Sequence, residues 1–236
     1  MRSDYPRPVL HRVATRCGTA STTSPWTTGR VMLGALLLLV MGPAPLWGAS
    51  GDPAKGKERF GACQACHGER GQGNEEAGAP QLARQHDWYL ILQLQNFKAG
   101  LRGTHKDDRY GQLMAAIAKT LPDEQAVLDV VAYIGTLTAE QLAAAPGAGP
   151  SDKGRIAFAP CRSCHGERGE GSEGFGPRLA GQHDWYLLRQ LRNFRAGRRG
   201  YHEEDTYGQT MRSMANALLP NEQDVSDVVS FIGTLR

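Results

Sequence analysis

Cys63-Gln64-Ala65-Cys66-His67-Gly68-Glu69-Arg70-Gly71 is written a second time, 98 residues further on, as Cys161-Arg162-Ser163-Cys164-His165-Gly166-Glu167-Arg168-Gly169. The agreement extends outward from both copies. Upstream, Lys55-Gly56 and Phe60 match Lys153-Gly154 and Phe158. Downstream, Gln85-His86-Asp87-Trp88-Tyr89-Leu90 matches Gln182-His183-Asp184-Trp185-Tyr186-Leu187. Asn96-Phe97, Ala99-Gly100, Tyr110-Gly111-Gln112 and Met114 recur as Asn193-Phe194, Ala196-Gly197, Tyr207-Gly208-Gln209 and Met211. Correspondence along both halves at a near-constant offset marks one unit duplicated. The seam, residues 138–150 (TAEQLAAAPGAGP), is rich in Ala, Gly and Pro and reads as an interdomain linker. The expected units are 51–137 and 151–236, each small enough that an apolar core alone is marginal.

Both units read as all-α. Asp52-Pro53 supplies a cap and a first-turn proline ahead of Lys55–Ala62. Asp87 is placed to cap a helix through Trp88, Tyr89, Ile91, Leu92, Leu94 and Phe97, stopped by Gly100. Pro122-Asp123-Glu124 opens a third, with Val127, Leu128, Val131 and Ile134 on one face and Gly135 at its end. The second unit repeats all three, from Asp152, over Asp184–Gly197 and over Asn221–Gly233. No stretch alternates between apolar and polar residues as a strand does.

Cys63-x-x-Cys66-His67 and Cys161-x-x-Cys164-His165 have the spacing of c-type haem attachment sites. Two thiols three residues apart on a helical turn reach the two vinyl groups of the porphyrin and form thioethers. The adjacent His67 or His165 then supplies a nitrogen to the iron. A redox C-x-x-C of the thioredoxin kind needs a βαβ setting, which is not visible. A four-thiolate zinc site would have to pair arms lying in separate copies. Neither alternative explains the histidine after each second cysteine. Two covalently bound haem c groups are therefore expected.

The two-unit layout resembles the dihaem cytochrome c4 family of bacterial electron carriers over essentially all of 51–236. Beyond the haem motifs, the similarity lies in Pro80-Gln81-Leu82-Ala83-Arg84-Gln85, Tyr89, Gln93-Leu94 and Phe97-Lys98-Ala99-Gly100, and in their copies Pro177-Arg178-Leu179-Ala180-Gly181-Gln182, Tyr186, Gln190-Leu191 and Phe194-Arg195-Ala196-Gly197. The glycine usual before the last Gln of the first segment is Arg84 in the first copy. The resemblance implies two tandem class I cytochrome c folds, His/Met iron in each, haems facing one another near the domain interface, and the Pro80 and Pro177 carbonyls as acceptors for the proximal histidines.

Of the methionines downstream of residue 50, Met114 and Met211 occupy matched positions after Tyr-Gly-Gln-x, so the duplication selects them as the sixth ligands. The resemblance points to the same two positions. Met214 aligns with Ile117 and reads as pocket packing. His86, His183, His105 and His202 also recur; they read as surface or cap residues. Trp88, Tyr89, Trp185 and Tyr186 either line the haem pockets or pack between helices.

Residues 1–50 have the order of an export signal: Arg2, Arg7, Arg12, Arg16 and Arg30, then the apolar run 31–41, two prolines and Gly48-Ala49-Ser50. Eleven apolar residues are too few for a membrane span, which takes ~20. The whole chain is +3, but the five arginines and Asp4 of this leader leave −1 for the remainder. The basic character thus belongs to the leader and supports no nucleic-acid partner. Arg189, Arg192, Arg195, Arg198 and Arg199 concentrate charge along one helix and its exit; they read as a solvated face, or as a docking surface for an acidic partner or anionic lipid.

An iron with both axial places filled has no position for substrate or oxygen, which excludes most haem enzymology and leaves one-electron transfer. The expected protein is a periplasmic carrier, with peripheral membrane association compatible with the sequence. It would run from a bc1-type complex or a dehydrogenase to a terminal oxidase, the alternative being the dihaem electron-accepting subunit of a flavo- or quinoprotein dehydrogenase.

Overall fold

The computed structural model describes residues 50–139 and 152–235. The expected leader lies outside the described residues except for Ser50, and so does the linker except for Thr138 and Ala139. Among the described residues no helix is long and apolar enough to cross a membrane.

The first half contains α1 (Pro53–His67), α2 (Asp87–Ala99), α3 (Arg109–Ala118) and α4 (Glu124–Thr136). α1 starts where the Asp52 carboxylate accepts from the Ala54 and Lys55 amides at 2.9 and 3.4 Å, with Pro53 needing no partner for an N–H. α4 is capped likewise, the Asp123 side chain accepting from the Ala126 amide at 2.7 Å. α2 begins one residue earlier than the sequence implies: His86 is the cap residue by its backbone, and Asp87 is the first helical residue. Gly100, at φ 78°, ends α2 in the left-handed conformation that suits glycine.

The second half repeats the plan with one break. α5 (Asp152–Phe158), a 3-10 turn (Ala159–Cys161) and α6 (Arg162–His165) stand where α1 is continuous. Pro160 occupies the place of Ala62 and cannot donate to the preceding turn, so the helix tightens there. α7 (Asp184–Arg195), α8 (Thr206–Leu218) and α9 (Glu222–Ile232) follow, the last opened by a capping box between Asn221 and Asp224.

α3 and α8 correct the three-helix reading of each half. They are nucleated by Asp108 and Asp205, whose side chains accept from the Gly111 and Gly208 amides at 3.0 Å each. Their apolar residues do not make a simple buried stripe. Leu113 and Ile117 are 54% and 40% exposed on the protein surface because they border a cavity rather than a packed helix.

In each half the first and last helices cross closely. At Gly56 a Cβ would come within 1.9 Å of the Asp129 carbonyl, so only glycine admits this approach; Gly154 stands in the same relation to Asp227 at 2.2 Å. The first core gathers Phe60, Leu90, Leu121, Val127, Val130, Val131 and Ile134, and the second gathers Phe158, Leu187, Leu219, Val225, Val228, Phe231 and Ile232. No strand forms among the described residues beyond two isolated bridges, Asn74 with Ala79 and Ser172 with Gly176, which pin the irregular loops after each histidine.

The halves are joined by hydrogen bonds that come in matched pairs. The Gln182 side chain accepts from the Gln81 amide and donates to the Gln81 carbonyl, both at 3.0 Å. Gln85 does the same for Arg178 at 2.9 and 3.0 Å. His86 Nε2 lies 2.9 Å from the Glu170 carbonyl and His183 Nε2 2.8 Å from that of Gln72. These histidines sit at helix caps by backbone, but their rings tie one half to the other, which corrects the surface reading. His105 and His202 stay in polar loops, each accepting from a backbone amide two residues on. Arg84 adopts φ 69° where its counterpart Gly181 has 77°, so the departure from glycine noted in the sequence places a side chain in the left-handed region.

Candidate functional site

The first C-x-x-C-H motif ends α1, the second spans the 3-10 turn and α6, and the histidine of each is buried. His67 is 4% and His165 5% exposed. The chain turns back through the glycine-rich loop and brings a proline carbonyl to the ring: His67 Nδ1 lies 2.8 Å from the Pro80 oxygen, and His165 Nδ1 2.9 Å from that of Pro177. Nδ1–H donates in each case, which fixes the tautomer and leaves Nε2 as a lone-pair donor. Burial holds both imidazoles below the ordinary histidine range, so they are neutral. Burial, with Cys66 adding to it, pushes the Cys63 thiol up to about 11, and Cys161 is raised for the same reasons. Such thiols are poor thiolate ligands for a metal ion. Among the described residues no cluster of three or more histidine, cysteine or acidic side chains is arranged to hold one.

A continuous, mostly apolar cavity runs through both halves. It is lined by Cys63, Cys66, His67, Pro80 and Met114 and by Cys161, Cys164, His165, Pro177 and Met211. The structure thus brings each expected set of side chains to one cavity. Met114 comes from α3, where it packs on Phe97, Ala115 and Ala118. Met214 lines the cavity too, as Ile117 does in the first half. Of the four aromatic candidates, Trp88, Tyr89 and Tyr186 line the cavity. Trp185 instead stacks on His183, with ring centroids 5.0 Å apart.

Between the two halves lies a polar cluster that charge patterning alone misread. Arg199 is 6% exposed, not solvated: Nη1 donates to Gln190 at 2.9 Å, and Nη2 donates to the Tyr89 hydroxyl at 2.8 Å and to Gln93 at 3.0 Å. Arg102, 8% exposed, mirrors it, donating to Gln93 at 2.5 Å, to Gln190 at 3.2 Å and to the Tyr186 hydroxyl at 3.5 Å. Arg189 also reaches into the other half. Arg192 and Arg195 match the surface reading better, pairing with Glu222. Asn96 donates to Asp205 at 3.2 Å, and Asn193 to Asp108 at 3.4 Å, completing the two-fold pattern. The sequence signal for this cluster was present in the repeated Tyr, Gln and Arg positions, but periodicity gives no means of separating a buried arginine from a solvated one.

These residues fit a haem. The cavity is mostly apolar, and a histidine and a methionine from each half border it. Arg102 Nε, Arg199 Nε and Trp88 Nε1 are buried donors without a protein partner, on residues that line the cavity. Orphaned donors of this kind are expected where a ligand carrying carboxylates completes the bonding.

The fold and the paired attachment motifs therefore define a tandem c-type haem protein, with two covalently bound haem c groups. A profile of the family described as Cytochrome c matches residues 53–138 and 151–236. Cytochrome c4 of Azotobacter vinelandii is 33% identical over 211 residues, spanning 85% of this chain and 97% of that protein. The crystal structure of reduced recombinant cytochrome c4 from Pseudomonas stutzeri superposes with a TM-score of 0.64 at 29% identity, covering 79% of this chain and all of the other. The thiosulfate dehydrogenase electron acceptor of Stutzerimonas stutzeri strain A1501 is 34% identical over 166 residues, 66% of this chain and 73% of that one. The chain belongs to the cytochrome c4 family, and is a dihaem electron carrier that exchanges electrons with redox proteins.

Proposed function

We propose that the chain is an exported one-electron shuttle, with a leader over 1–50 and haem domains at 51–137 and 151–236 joined by a linker over 138–150. Cys63 and Cys66 hold the first haem and Cys161 and Cys164 the second. His67 with Met114, and His165 with Met211, would ligate the two irons. When bound, each haem supplies a one-electron iron couple, which methionine ligation poises high. The chain's own part is to keep His67 and His165 neutral and aimed through the Pro80 and Pro177 carbonyls, to exclude water with the apolar wall, and to hold carboxylates with the spare Arg102, Arg199 and Trp88 donors. No residue is assigned a catalytic role.

The observation that carries this reading is the paired cavity, in which each half brings the same histidine and methionine positions to one apolar space. The protein works in the periplasm, at most loosely attached to the membrane, and binds no nucleic acid. Its donor is a bc1-type complex or a dehydrogenase and its acceptor a terminal oxidase. The likeness to a thiosulfate dehydrogenase electron acceptor favours a second reading, in which the chain takes electrons directly from a dehydrogenase of that kind.

The test is to follow the reduced holoprotein by its visible spectrum in the presence of oxidase-bearing membranes, and separately in the presence of hydrogen peroxide. Rapid reoxidation by the membranes with no peroxide consumption supports the carrier. Sustained peroxide turnover by the purified protein contradicts it. Rapid reduction by a purified thiosulfate dehydrogenase selects the second reading.

A further inference from the structure

Contacts made by one half have counterparts in the other, as with the paired glutamines, histidines and buried arginines. Position 189 breaks this symmetry. Arg189 in α7 corresponds to Leu92 in α2. Its guanidinium leaves its own half: Nη2 donates to the Gly78 carbonyl, and the group lies 4.2 Å from the Tyr110 ring centroid, with Trp185 at 5.1 Å and Tyr186 at 5.5 Å. Its Nε is buried without a partner. No carboxylate lies within ion-pair distance of it among the described residues.

On the mirror side Leu92 takes the place of the arginine. Trp88 meets Tyr207 directly, with ring centroids 5.8 Å apart, and the Tyr207 hydroxyl donates to the Gly174 carbonyl at 2.9 Å. Gly78 is two residues before Pro80, the residue that holds His67. A cation therefore rests on the loop that presents the first histidine, whereas a neutral phenol holds the equivalent loop of the second. Both guanidinium neighbours on the first side, Gly78 and Tyr110, line the cavity.

A fixed positive charge beside a redox centre favours the state with the extra electron, and the effect is larger where water is withdrawn. The geometry points to Arg189 as the residue that makes the two haem sites unequal, raising the potential of the first haem while leaving that of the second nearly unchanged. It acts through the field at the first site and touches no reacting atom, so it is a tuning residue. The inference rests on the two-haem, His/Met reading of the site.

The test compares wild-type dihaem protein with R189L, R189K and L92R, in redox titrations followed through haem-methyl proton resonances assigned to each domain. R189L is expected to move the electron distribution towards the second haem by roughly tenfold, about 59 mV for a one-electron couple, with nearly all of the change at the first haem. R189K retains most of the wild-type difference because it retains the charge. L92R places a cation against Trp88 and Tyr207 and raises the second haem instead, without removing any native contact of Arg189. A change under about twofold in R189L, an equal change at both haems, or an unmoved second haem in L92R overturns the inference. Failure of the His/Met reading is seen separately, in the wild-type spectrum before any substitution.

Discussion

Replacing Arg102 and Arg199 by methionine, singly and together, tests the interdomain cluster against a definite expectation of non-additivity. Arg199 gives bonds to Gln190, Tyr89 and Gln93, and Arg102 to Gln93, Gln190 and Tyr186. The two glutamine oxygens are thus shared. In R199M, Gln93 and Gln190 keep Arg102, and among protein groups only the Tyr89 hydroxyl loses its donor, any haem-carboxylate bond adding equally to the single and double variants. In R102M only the Tyr186 hydroxyl does. Each single substitution is expected to cost about 1–3 kcal/mol, the penalty for one orphaned polar group, with the lower end favoured because both tyrosines are half-buried. The double variant orphans the two glutamine oxygens as well, four acceptors against the two counted by adding the singles. The coupling is then two further orphaned groups, about 2 kcal/mol or more beyond the sum. The assay is guanidinium unfolding of the dihaem protein, read by far-ultraviolet circular dichroism and by haem absorbance. Additivity within about 0.5 kcal/mol would refute the shared-acceptor geometry.

Three further outcomes are expected. Phe60→Ala empties a site that is 1% exposed and stacked edge-on with Tyr133 at 5.3 Å, and should cost about 3–5 kcal/mol in the first domain's unfolding transition while sparing the second. The Asp129 carboxylate accepts from the Asp52 amide and from Gln125, both at 2.8 Å, and these bonds hold it below the usual carboxylate range. A group depressed on folding contributes stability above its unfolded pKa and loses it as pH falls through the folded value, so D129N should flatten the first domain's acid-unfolding profile below about pH 4 in thermal melts. Cys63→Ala with Cys66→Ala removes covalent haem from a half too small to rely on its apolar core, and helical circular dichroism should fall by about half; native-like helicity would show that the domain folds without the group.

Much of this arrangement was legible because it was written twice. Capping residues fixed the starts of α1, α4 and α9, since Asp52, Asp123 and Asn221 act through bonds local in sequence. The attachment motifs were readable for the same reason: their spacing is itself the chemistry. α3 and α8 escaped because their apolar residues face a cavity meant for a ligand, and a helix packed against a ligand shows no stripe matched by other protein residues. The pairing of His86 with Glu170 and of Arg199 with Tyr89 was hidden because bonds between residues more than 80 positions apart depend on how the halves dock. The break at Pro160 was visible in the letters, but its effect on helix continuity needed the backbone.

The most direct measurement of the central claim is a potentiometric titration of the purified protein with full optical spectra. Two c-type haems per chain, each low-spin throughout and each showing the ferric charge-transfer band of thioether ligation, with that band halved in M114A and halved in M211A, is the result the account requires. A colourless protein, a high-spin resting haem, or a band untouched by either substitution would contradict it.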